Sequence, residues 1–167
     1  PPVMHDLFTS NINWLVVLGY TMPPSVGLFF VLLKPQVGGA VAIYWLVEAW
    51  QRGKMRQVLK TFLPVTLVTL LSFVIYGFWP GKAPNLYDVY WNVSLWPLSI
   101  PIGLVLLFLA FRKKQIRFAY MVSPFLSPYV GGFSYVTTFL GLVPSTVETL
   151  VGVIGFWIAM IAGGLFR

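Results

Sequence analysis

From Thr61 to Trp79 the chain carries no charged residue, and the same holds from Ser94 to Phe111 and from Phe118 to Leu142. About 20 apolar residues in a helix cross the hydrocarbon of a bilayer. Runs this long and this poor in charge constrain the fold more than any motif does, because lipid admits only helices or closed barrels. The rest of the chain agrees. It is 58% hydrophobic and only 9% charged, where soluble domains carry about 25% charge. The expected fold class is all-α, a polytopic transmembrane helical bundle with short proline-broken helices, forming a single transmembrane domain over 1–167.

The charges that remain are placed with a bias. Arg52, Lys54, Arg56 and Lys60 fall in one short segment, and Arg112, Lys113, Lys114 and Arg117 in another, each beside an apolar run. That is the pattern of positive-inside signals. The net charge of +7 therefore points to a cell-membrane (plasma-membrane) protein and not to a nucleic-acid partner. Segments 52–60 and 112–117 are expected on the cytoplasmic side with Arg167, and loops 80–93 and 143–146 outside.

Along the chain, 11–50 reads as short broken helices, interrupted at Met22-Pro23-Pro24 and again at Lys34-Pro35. In 51–60, Met55, Val58, Leu59 and Phe62 share one helical face and Arg52, Arg56 and Lys60 another, which predicts a basic amphipathic surface helix. Spans are expected at 61–79, 94–111, 118–142 and 147–166. Tyr87, Tyr90, Trp91 and Trp96 suit an interfacial aromatic belt. Gly131-Gly132, Gly152, Gly155 and Gly163-Gly164 suit close helix contacts.

Lys34 is the leading site candidate. It lies in an apolar stretch beside a proline, and an intramembrane cation is costly enough to mark a site. It can bind an anionic group such as a lipid phosphate, or it can snorkel to an interface from a short helix end. His5 and Asp6 can form an acid/base pair, or a solvated lead-in to the first helix. Ser145-x-x-Glu148 reads as a capping box, and Glu48 with Arg52 as a helical ion pair. Asn92-Val93-Ser94 fits a glycosylation sequon. With one histidine, no cysteine and four scattered carboxylates, neither a metal site nor a cofactor is expected.

Five segments, in order, carry a family resemblance: Ser10-Asn11-Ile12-Asn13, Leu33-Lys34-Pro35-Gln36, Trp50-Gln51-Arg52-Gly53-Lys54-Met55-Arg56, Asn92-Val93-Ser94-Leu95-Trp96-Pro97, and Val122-Ser123-Pro124-Phe125-Leu126-Ser127-Pro128-Tyr129. Together they resemble polyprenyl-phosphate-dependent glycosyltransferases of the GT-C type, in the mannosyltransferase-like branch. The resemblance implies transfer of a hexose from a polyprenyl-phosphate sugar. It implies that Lys34, Gln36 and Asn13 bind the lipid phosphate, with Tyr129 a weaker candidate beside His5 and Asp6. Ser10-Asn11 departs from the family's Gly-Gln. The family's catalytic carboxylate lies in an early external loop, upstream of anything here, so the resemblance covers a C-terminal half and the chain is expected to be part of a longer protein.

Two other readings stand beside it. The chain can be a small multi-pass structural subunit of a larger membrane complex, with lipids and other subunits as partners. Broken helices and a midplane cation also suit a transporter, although no inverted repeat or intramembrane acid for ion coupling is visible.

Overall fold

The computed structural model describes residues 12–78, 80 and 92–162. His5, Asp6, Arg167, Gly163, Gly164 and most of the 80–93 loop, including Tyr87, Tyr90 and Trp91, lie outside the described residues. The protein is all-helical, with no strand among the described residues. In chain order the helices are α1 (Asn13–Tyr20), α2 (Pro24–Val31), α3 (Pro35–Tyr76), α4 (Ile100–Lys113), α5 (Ile116–Leu126), a 3₁₀ turn (Gly132–Tyr135), α6 (Val136–Leu142) and α7 (Thr146–Ala162).

Proline sets the first two breaks. Pro24 and Pro35 each open a helix, the position where a missing N–H and a fixed φ cost nothing. Between the breaks, α1 and α2 fold back on each other across Gly19 and Gly27. A Cβ on Gly27 would strike the Gly19 carbonyl and come within 2.8 Å of the Trp45 ring. The hairpin therefore packs backbone on backbone, with Trp45 of α3 closing its side.

Residues 51–60 do not form a separate surface helix. They belong to α3, which bends at Gly53 (φ −156°, ψ 24°) and Lys54 (φ 50°, ψ −143°). The bend, with Lys54 at positive φ, places the charges of this segment on a kink between two helical segments rather than on a free amphipathic helix. Residues 61–76 of the expected 61–79 span lie in the second segment of α3, which ends at Tyr76. Among the described residues, α3 alone is long and apolar enough to cross a bilayer.

The 94–111 run begins late. Residues 96–99 form a turn, and α4 starts at Ile100 with Pro101 in its first turn. The larger correction concerns 118–142, which is not one span. It is a hairpin of α5 and α6 joined through an extended break at 127–131 and the 3₁₀ turn. Ser127 leaves the helix in an extended conformation, as its neighbour Pro128 demands. On the return, Gly141 of α6 lies against Met121 and within 2.6 Å, at its Cβ position, of the Arg117 carbonyl. The chain thus comes back to the end it left. Arg117 Nη1 bonds Glu148 Oε2 at 3.2 Å, so the turn at 143–146 sits at the same end as the 112–117 loop, not opposite it.

Half of the capping box forms. The Glu148 N–H donates to Ser145 Oγ at 3.3 Å, while the Glu148 carboxylate turns to Arg117. The core is one apolar cluster from α2, α3, α4 and α5, centred on Leu28, Val41, Trp45, Ala110, Phe118 and Ala119. Gly152 packs against Leu142, whereas Gly155 has open space where its side chain would be.

Candidate functional site

The bundle has two chemically different ends. The bend of α3 and the α4–α5 turn put the basic residues at one end. The other holds the start of α3, the start of α4 and the 127–131 break. Residues 35–52 rise about 1.5 Å each, so Lys34 lies on the order of 25 Å from the basic end.

Lys34 is the residue before α3 and only 8% exposed. Its ammonium donates to Asn13 Oδ1 at 2.8 Å and stands 4.6 Å from the centroid of the Phe133 ring. Asn13, at the start of α1, is fully buried. The α1–α2 hairpin makes this meeting, because it carries Asn13 back beside the residue that ends the α2–α3 turn. Asn13 and Lys34 are therefore brought together.

The electrostatics of this position are unusual. A helix N-terminus carries roughly half a positive charge, and cations stabilise helices at the opposite end. Pro35 has no N–H, the N–H groups of Val37 and Gly38 donate to the Lys34 carbonyl at 2.9 and 3.0 Å, and the N–H of Gln36 has no acceptor within the helix. A buried ammonium and the positive end of a helix thus lie in one place, with the Gln36 N–H the one first-turn donor that has no acceptor within the helix.

Gln36 lines a groove of about 290 Å³ between the start of α3 and the end of α5, with Gly39, Ala40, Ser123, Ser127 and Pro128. Ser123 Oγ accepts the Ala40 N–H at 2.9 Å and ties the two helices together. Tyr129 lies in the break, next to the groove wall, where its N–H donates to Ser127 Oγ and its carbonyl accepts from the same hydroxyl.

A dense set of bonds holds the break open. Ser99 Oγ donates to the Phe125 carbonyl at 2.8 Å, and Ser94 Oγ to the Ser127 carbonyl at 2.6 Å. These carbonyls, at the C-terminal end of α5, have no acceptor role within the helix. Asn92 donates its amide to the Pro128 carbonyl and accepts the Val130 N–H at 3.0 Å. The Asn92-Val93-Ser94 sequon is thus a backbone clamp. The two late segments that carry the family resemblance touch each other here.

Sequence reasoning missed Phe133, Ser134 and Tyr20. Ser134 is fully buried, and its hydroxyl has no hydrogen-bond partner among the described residues. Tyr20 donates to the Val37 carbonyl at 3.1 Å and stacks on Tyr120 at 4.5 Å. None of the three belongs to a periodic or punctuated pattern that would single it out. Among the described residues no group of His, Cys, Asp and Glu is assembled to hold a metal.

Comparison with known proteins adds no family: no protein-family model, curated protein or solved structure matches the chain.

Proposed function

We propose that the chain is a multi-pass membrane protein that binds the phosphate of a polyprenyl-phosphate sugar, as part of or as a relative of a GT-C type glycosyltransferase. The observation that carries this reading is the ammonium of Lys34 buried at the N-terminus of α3 and bonded to Asn13, beside the groove that Gln36 lines. The order of the five sequence segments supports it. In transfer, the bond between the anomeric carbon and the phosphate oxygen breaks, and the carrier phosphate gains negative charge. Lys34 neutralises that charge as it develops, and Gln36, two residues on, lines the adjoining groove. The groove at Gln36, Gly39 and Pro128 suits the first isoprene units. The basic end faces the cytoplasm and the Lys34 end lies toward the external leaflet.

The test is sugar transfer from a polyprenyl-phosphate sugar by membranes containing the full-length protein, wild type against Lys34→Met. Undiminished transfer in the variant removes Lys34 from the mechanism.

A second reading has its own support. Large apolar side chains on the second segment of α3 and on α7, including Val74, Ile75, Val147, Val151 and Ile161, are exposed, as in a subunit that packs against others. Transfer by the purified monomer counts against it.

A further inference from the structure

The basic end holds a second cavity, which the glycosyl-transfer reading does not use. It is a cleft of about 330 Å³ between the first segment of α3 and the end of α4, lined by Tyr44, Glu48, Gln51, Arg52, Phe111 and Lys114 among others. Tyr44 and Phe111 stack in parallel at 5.8 Å and form an aromatic floor. Arg52 bonds Glu48 at 2.8 Å, which neutralises the one carboxylate in the cleft. Lys114 stands at the mouth in a left-handed conformation, φ 53°, just past the last residue of α4.

The surrounding cations are held differently. Lys54 lies over Trp50, Arg112 over Phe108, and Lys113 and Arg117 over Phe118, at 4.6–5.8 Å from the ring centroids. Cation–aromatic pairs of this kind sit where apolar and polar surfaces meet. On the face of α4 that carries Phe111 into the cleft, Phe108 and Leu104, one and two turns earlier, are exposed. A cationic cleft therefore continues directly into bare apolar surface.

We infer that this cleft binds the headgroup of an anionic phospholipid, with the phosphodiester between Lys114 and Arg52 and the acyl chains along the exposed face of α4. Charge selects the anion, and the apolar continuation selects a lipid over a free phosphate. The inference rests on the membrane placement proposed above, and is independent of glycosyl transfer.

The experiment uses the purified full chain in mild detergent, with phosphatidylglycerol or phosphatidylcholine added and bound lipid followed by native mass spectrometry. Phosphatidylglycerol is expected to be retained in preference. Lys114→Asn removes the charge with a residue that tolerates the left-handed conformation, and with Arg52→Gln it is expected to weaken retention by about fivefold per charge. Millimolar glycerol phosphate is expected not to compete. If the double variant folds poorly, Lys114→Asn alone, on an exposed side chain, carries the test. Equal retention of the two lipids, unchanged retention in the Lys114 variant, or displacement by glycerol phosphate overturns the lipid cleft. A protein that stays in solution without detergent overturns the membrane placement itself.

Discussion

Lys34→Met is expected to lower sugar transfer by about 10²–10³-fold at a cost of about 1–2 kcal/mol in stability. The two halves have different causes. A preorganised charge that meets the departing phosphate matters most in the transition state, so its loss falls on rate. For folding, the desolvation cost of the ammonium disappears with the charge, and what remains is the loss of one donor to the buried Asn13 amide oxygen. Asn13→Leu does the reverse. It takes the acceptor 2.8 Å from the ammonium away and leaves the charge in place, at a cost of about 2–3 kcal/mol. Denaturant titration of both variants in detergent, read beside transfer, checks the pair. If Lys34→Met destabilises the fold as much as Asn13→Leu does, the lysine is a structural tie.

Gly27→Leu is expected to destabilise the protein by about 3 kcal/mol or more, at the upper end for overpacking. Any side chain at this position meets the Gly19 backbone and the Trp45 ring, and neither is the movable tip of a flexible chain. The α1–α2 hairpin would have to open, carrying Asn13 away from Lys34. The variant should therefore lose transfer together with stability. Gly39→Ala is the control, since nothing stands within 4 Å of a Cβ there. Equal stability of Gly27→Leu and Gly39→Ala in a thermal melt would contradict the backbone-on-backbone packing.

The parts of the fold legible in the sequence were those that proline and charge announce. The helix starts at Pro24 and Pro35, the Glu48–Arg52 pair and the Ser145 cap all follow from local rules that act within one turn. The α5–α6 hairpin was not legible, because a long apolar run with two Ser-Pro steps reads equally as a crossing or as a fold-back. What decides between them is the contact of Gly141 with the Arg117 turn, a pairing 24 positions apart in sequence. The site divides in the same way. Lys34 stood out as a charge in an apolar stretch, but Phe133 over its ammonium comes from an element about a hundred residues away. Asn92 shows the converse, a recognisable motif whose amide the fold uses to hold the Pro128–Val130 backbone.

The most direct measurement is the sidedness of single cysteines, which the cysteine-free sequence makes clean. Leu95→Cys, Lys113→Cys and Val143→Cys, all at exposed positions, are labelled in intact cells and again after permeabilisation with a membrane-impermeant maleimide. Lys113→Cys and Val143→Cys are expected to react only after permeabilisation, and Leu95→Cys before it. Labelling of Val143→Cys from outside, together with Leu95→Cys, would mean that residues 118–142 cross the membrane, and would contradict the hairpin on which the placement of the Lys34 site depends.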